Sequence, residues 1–257
     1  MNPRPILGTA RPHGSMLRAA VPGAFDGHDD GSVNGRRPLG YRHIYPGVTG
    51  PCSPVTIRWT DGKDTVMEPL ALDPRSTALT LVDLQRGIVS RQTGPHSASE
   101  VVARAARLAA RFRQAGAVVV LVRVAYSADG RDRLAQRVDA APLSGAVPPD
   151  FSELVPELGL AAGDIVVTKR QWGAFYGTEL ELQLRRRGVR TIVLGGISTN
   201  FGVESTARDA FERGYELVFA EDAMAGLSAE AHRFAVTTIF PRLGTVRSTE
   251  DVLAALK

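Results

Sequence analysis

Two charged residues stand at the ends of apolar runs in a way that suits proton transfer. Asp83 closes the run Ala78 to Asp83, and Lys169 closes the run Ile165 to Lys169. A carboxyl group gives up a proton near neutral pH if its pKa is raised and accepts one if it is ionised, and a neighbouring ammonium favours the ionised form. The sequence leaves both roles open, along with plainer ones: a capping carboxylate for Asp83 and a solvated strand end for Lys169. A third feature is the small-residue turn Gly196 to Asn200, which follows an apolar strand over Thr191 to Gly195 and opens a helix over Phe201 to Arg213. Backbone N–H groups at such a helix start stabilise an anion or a developing oxyanion. The backbone of Ile197, Ser198, Thr199 and Gly202 is therefore a candidate anchoring element, although the glycines could equally serve tight strand-to-helix packing.

Other residues suit substrate recognition. Trp172, Phe175 and Tyr176 lie in a glycine-flanked loop and could wall a pocket against a planar ligand, fill the core, or form a subunit contact. Residues 125 to 163 show no clear period and hold four prolines, the pattern of a long irregular connection that often forms a lid or wall of a site. Arg131, Arg133 and Arg137 lie in it; they could bind an anionic ligand or simply be solvated. Ser198, Thr199 and Ser205 offer hydroxyls, yet residues 67 to 257 contain only His96 and His232 as imidazole bases. No serine sits in a nucleophile-elbow pattern, so a Ser-His-Asp triad is not expected. The two histidines read as too few and too scattered for a zinc site, and neither a catalytic metal nor another cofactor is expected.

The elements that must position these groups alternate between strand and helix. After the first strand come a helix over Ser99 to Gln114, with Val101, Ala105, Leu108 and Phe112 on one face, and a strand over Ala117 to Val124. Near-continuous Val/Leu strands alternating with helices predict a three-layer α/β domain with a mainly parallel sheet. The carboxyl ends of such strands gather around one crevice, where Asp83, Lys169 and the turn would meet. Thr178 with Glu181 reads as a capping box that opens a helix, and Ser228 and Ser248 read as caps of two later helices. Between those helices a short strand is expected over Thr245 to Arg247.

Residues 1 to 66 differ in kind. They hold eight of the 16 prolines and ten of the 26 glycines, with little apolar periodicity beyond a short strand-like stretch, Val55 to Trp59. An irregular extension is expected there, with the folded domain over residues 67 to 257 beginning near Met67. This extension carries eight basic and five acidic residues, against 23 and 22 in the rest, so the net charge of +4 sits mostly in it. No basic stripe with interleaved aromatics marks the domain, which argues against nucleic-acid binding. The single cysteine, Cys52, excludes an intramolecular disulfide and suits a cytoplasmic setting. No apolar run approaches the roughly 18 residues of a membrane span, so no membrane partner is expected.

Three separated motifs, strand-Asp83-Leu-Gln, strand-Lys169 and Gly196-Ile-Ser-Thr-Asn-Phe-Gly202-Val-Glu-Ser-Thr-Ala-Arg-Asp-Ala210, together resemble the isochorismatase-like hydrolase superfamily. The resemblance covers about residues 75 to 257 and is supported by Gly214-Tyr215 and Glu221-Asp222-Ala223. Around Lys169 to Leu180 it is similar to an uncharacterised bacterial subgroup. It implies a cytoplasmic hydrolase of a small molecule, with Asp83 and Lys169 catalytic. Most members use a cysteine thiolate beside such a pair, and Gly202 stands at that position here. Isochorismatases proper resemble this sequence in having Gly there; they cleave a vinyl ether with water and use the Asp as proton donor. The Asp/His metal motif of nicotinamidase-like members is missing from Val124 to Arg133. The resemblance further implies a cis peptide between Ile197 and Ser198, and a homo-oligomer, which would bring Trp172 to a subunit contact.

Overall fold

The computed structural model describes residues 70–140 and 147–257. The expected strand at Val55 to Trp59, Cys52, Met67 and the extension as a whole lie outside them.

Six strands form one sheet: β1 (Thr77–Val82), β2 (Val118–Val124), β3 (Ile165–Lys169), β4 (Thr191–Ile197), β5 (Glu216–Ala225) and β6 (Thr245–Arg247). Every pairing is parallel, in the order β3-β2-β1-β4-β5-β6. Alternate side chains of one strand serve opposite faces, since successive Cβ atoms point to opposite sides of the pleat. Leu79 and Leu81 of β1, with Val119 and Leu121 of β2, join one core layer. Ala78 and Val82, with Val120 and Val122, join the other. Both faces are covered, which is why the strands read as unbroken apolar runs.

The first layer is closed by α2 (Ala98–Gln114) and α6 (Thr249–Ala255), and α1 (Arg86–Val89) is a single turn after β1. The apolar stripe of α2, Val101, Ala105, Leu108 and Phe112, is wholly buried on the sheet. Ser97 caps this helix through a full capping box with Glu100, and Ser248 does the same for α6 with Asp251. The opposite layer holds α3 (Leu180–Arg186) and α4 (Glu204–Glu212), which bury Leu180, Leu184, Ala207 and Ala210. Helix α5 (Ala229–Phe234) follows β5 and is capped by Ser228, whose side chain accepts from the Ala231 N–H.

Two local expectations are corrected. Thr178 and Glu181 form no capping box: α3 begins at Leu180, the Thr178 hydroxyl donates to the Ala174 carbonyl, and Glu181 pairs with Arg213 at 3.0 Å. The helix after β4 does not start as α at Phe201; residues Thr199–Val203 make a wider π turn before α4. Residues 147 to 163 follow the irregular path expected of them, with one 3-10 turn, Pro156–Leu158.

Strand order reverses between β1 and β4, because the chain builds outward from β1 to β3 and then returns to the other side of β1. Open parallel sheets bind ligands at this reversal, where the loops leaving two neighbouring strand ends diverge. Asp83 follows β1 there, and the Gly196 to Gly202 turn ends β4 beside it.

Candidate active site

Asp83 has a positive φ of 55°, the only such non-glycine residue among those described. A left-handed residue directly after a strand turns the chain sharply, and Asp tolerates this better than most side chains. Gln85, two residues on, is fully buried and anchors the turn: its amide donates to the carbonyls of Val124 (3.0 Å) and Phe151 (2.9 Å), and its oxygen accepts from the Val124 N–H (2.8 Å). Sequence reasoning assigned Gln85 no role, although it ends the strand-Asp83-Leu-Gln motif.

Lys169 lies two strands away, yet its stem runs across the end of β2 and brings Nζ to 2.7 Å from Asp83 Oδ2. Nζ also donates to the Trp172 carbonyl at 2.6 Å. Both side chains of the pair are buried. Burial pushes the Asp83 carboxyl up to about 6, and the Lys169 charge and hydrogen bond only partly oppose that rise. The other carboxyl oxygen, Oδ1, is buried without a partner among the described residues. A buried polar atom left unpaired by other protein groups is costly and uncommon.

The third side of this crevice is Gly202. A Cβ built there would lie 3.1 Å from Asp83 Oδ2, 3.4 Å from Lys169 Nζ and 3.0 Å from Val82 Cγ1. The Gly202 carbonyl accepts from the Thr206 hydroxyl (2.6 Å), which in turn accepts from the Ala174 N–H (3.1 Å), so the segment after Lys169 and the turn are fastened together. The Ile197–Ser198 peptide is cis, as the resemblance implied.

Several expected site residues are placed differently. The Ile197 side chain is buried in the apolar core. The Ser198 hydroxyl donates to Asn200 Oδ1, and the buried Thr199 hydroxyl pairs with His232 Nδ1 at 2.8 Å. At Ile197 and Thr199, what the turn offers a ligand is thus backbone rather than side chain. Phe175 is not a pocket wall: it is 4% exposed, packs on Tyr215 and lies under the Arg213 guanidinium. These partners come from distant parts of the chain, so local sequence does not reveal the burial of Phe175. Trp172 and Tyr176 are exposed, at 60% and 76%, and Trp172 stacks edge-on against Phe201, 5.0 Å between centroids. Arg131 is exposed on its loop, and it is Arg133 that covers a ring, that of Tyr126, at 4.9 Å. Burial raises the Tyr126 hydroxyl pKa, the Arg133 cation opposes this, and the nearby Asp83 charge adds to the rise.

The histidines are also corrected. His96 and His232 are not scattered: their rings meet edge to face 5.9 Å apart, and both Nε2 atoms contact Glu221 Oε1, at 3.1 and 3.0 Å. Hydrogen bonds from His232 foremost, then His96, hold the Glu221 carboxyl down to about 2 despite its partial burial. Glu221 projects where β5 bulges against β4, since the register steps from Leu194↔Phe219 to Gly196↔Met224.

An open parallel α/β domain with a buried carboxylate–ammonium pair at its strand-order reversal defines a class of small-molecule enzyme scaffold. Comparison with known proteins narrows it. Residues 77–251 match the model of the Isochorismatase domain, and the chain belongs to the isochorismatase family of hydrolases. It is 54% identical over 187 residues to the uncharacterized isochorismatase family protein YecD of Escherichia coli O157:H7, covering 73% of this chain and 100% of that one. It is 35% identical over 209 residues to the ureidoacrylate amidohydrolase RutB of Variovorax paradoxus (strain S110), covering 72% and 82%. The solved structure of an isochorismatase family protein from Burkholderia thailandensis superposes with a TM-score of 0.70 at 47% identity, over 73% of this chain and 98% of that one.

Proposed function

We propose that this protein hydrolyses a small molecule by proton transfer from Asp83, with water as the nucleophile and no covalent enzyme intermediate. The observation that carries the reading is Gly202: it has no side chain to serve as a nucleophile, and a Cβ built there would already crowd Asp83 Oδ2 at 3.1 Å and Lys169 Nζ at 3.4 Å. A carboxyl raised to about 6 keeps a usable protonated fraction near neutral pH. Lys169 occupies Oδ2, so the unpartnered Oδ1 is the atom that carries and delivers the proton. A vinyl ether suits this arrangement: protonation of the terminal carbon leaves an oxocarbenium ion, water adds to it, and the hemiketal breaks into a ketone and an alcohol. The Asp83 carboxylate left behind is held by Lys169 and faces the developing positive charge. The backbone of the turn from Ile197 to Gly202 anchors the substrate, and Trp172 and Tyr176 form its rim.

The test is a substrate screen on the purified protein. Pyruvate release from isochorismate, with full activity in Cys52→Ser and no protein adduct by mass spectrometry, supports the reading. Ammonia release from ureidoacrylate or another amide through a trapped acyl-enzyme would overturn it. Gly202→Ala should cut kcat/KM by roughly 10- to 100-fold, since its methyl would crowd Asp83 Oδ2 at 3.1 Å and Lys169 Nζ at 3.4 Å and shift the pair that holds the proton. Thermal melting separates this outcome from misfolding.

The proposal includes a homo-oligomer in which Trp172 lies at or near a subunit contact. Support comes from the exposed Trp172, Tyr176 and Phe201 side chains, which present aromatic surface beside the crevice. Light scattering should return a particle larger than one chain, and Trp172→Ala should weaken the assembly without unfolding the domain. The same reading takes residues 1–66 as an extension and 67–257 as the domain; limited proteolysis should leave a stable core beginning near Met67. Among the described residues no helix is long and apolar enough to cross a membrane.

A further inference from the structure

The His96, Glu221 and His232 cluster is used by none of the chemistry above. Its members come from three elements: the loop between α1 and α2, the bulged part of β5, and helix α5. One ligand-capable atom from each lies within 4.8 Å of the other two. Both Nε2 atoms converge on the same carboxylate oxygen, at 3.1 and 3.0 Å. The two nitrogen–oxygen separations match the edges of a coordination polyhedron with bonds of about 2.0 to 2.2 Å to nitrogen and oxygen.

We propose that His96, Glu221 and His232 form a binding site for a divalent transition-metal ion of the zinc type. Two imidazoles and one carboxylate suit such an ion and not magnesium or calcium, which take oxygen donors. The outer contact that a metal-bound imidazole needs is present: His232 Nδ1 pairs with the Thr199 hydroxyl at 2.8 Å. A hydroxyl both donates and accepts, so it can accept a proton held on Nδ1 and leave the Nε2 lone pair for the ion. His232 is buried, whereas His96 and Glu221 keep 23% and 31% of their side-chain surface, which gives the ion a way in and leaves coordination positions for water. Without an ion, the same distances describe two N–H···O bonds to Glu221. The site is distinct from the Asp83–Lys169 pair, and the Thr199–His232 hydrogen bond ties it to the turn that flanks that pair.

The test is zinc binding to the full, untagged chain after removal of metal with a chelator. Calorimetry should give one equivalent of Zn²⁺ at micromolar or tighter affinity that His96→Ala and Glu221→Gln each weaken at least about tenfold. Co²⁺ should give visible d–d absorption that both variants lose. Circular dichroism confirms that the variants fold. His13, His28, His43 and Cys52 are further donors in the chain, so zinc uptake that both variants leave unchanged assigns it elsewhere and overturns the proposal. Failure to bind zinc at submillimolar concentration also overturns it and leaves a hydrogen-bonded clamp.

Discussion

Replacing Asp83 by Asn lowers kcat by a factor of roughly 10² to 10⁴, the usual contribution of a positioned general acid, while the domain stays folded. Asn accepts the positive φ of position 83 and keeps the shape of the side chain, so the change is confined to charge and proton. Steady-state kinetics on the substrate found by the screen measures the loss; activity within threefold of wild type would remove Asp83 from the reaction. The same variant reports on stability. The folded-state pKa of about 6 lies above the ordinary 3.8, so the folded protein holds the Asp83 proton more tightly than the unfolded chain does. This contribution is fully present below about pH 3.8, falls as pH rises, and is gone above about pH 6, amounting to about 3 kcal/mol between the limits. Other carboxylates with lowered pKa values act in the opposite sense. The informative quantity is therefore the difference between wild type and Asp83→Asn in urea unfolding at pH 4 and at pH 7. Asp83→Asn should lack this one component.

Gly196→Ala is expected to destabilise the domain by about 4 kcal/mol, enough to unfold much of it at growth temperature. Gly196 has φ 124°, where an L side chain is strained by about 1–3 kcal/mol. A Cβ there would also lie 2.1 Å from the Val82 carbonyl oxygen and 2.6 Å from its nitrogen. These are backbone atoms of the central strand, paired with β4 in the sheet, so they cannot yield as a side-chain tip would. Gly214→Ala provides the control, since Gly214 has φ 77° but a Cβ there would meet nothing within 4 Å. A loss confined to a kcal/mol or so in Gly214→Ala, against a shift several times larger in Gly196→Ala, would separate the contact from the dihedral. Equal shifts would show that close approach at the end of β4 carries no special weight. The position matters to the site because Gly196 lets β4 press on β1 at the level of Asp83.

Much of this architecture follows from local pattern. Apolar runs bounded by Gly and polar residues place the six strands within a few residues, and Ser97, Ser228 and Ser248 stand where helices begin because their side chains accept from N–H groups two or three positions on. The charged ends Asp83 and Lys169 and the small-residue turn are legible because each breaks an apolar run and so marks where a strand ends. Where two local signals competed, the sequence misled. Thr178 and Glu181 have capping-box spacing, but Arg213, 32 residues from Glu181, takes the carboxylate. For Phe175 the sequence leaves wall, core and contact roles open, and only its packing on Tyr215 and Arg213 assigns it to the core.

By itself the sequence determined the order of elements, the parallel α/β class and the residues able to exchange a proton, because these depend on side-chain type and on spacings of a few residues. Only the tertiary structure decided what those residues meet. Asp83 and Lys169 are 86 positions apart and become neighbours because β3 lies two strands from β1 on the same side of the sheet. Glu221, His96 and His232 meet because β5 bulges where the loop before α2 and helix α5 close over it. Burial, and with it the raised pKa of Asp83, has the same origin: it depends on which layers pack over a strand end, and that is a property of the whole fold rather than of any stretch of chain.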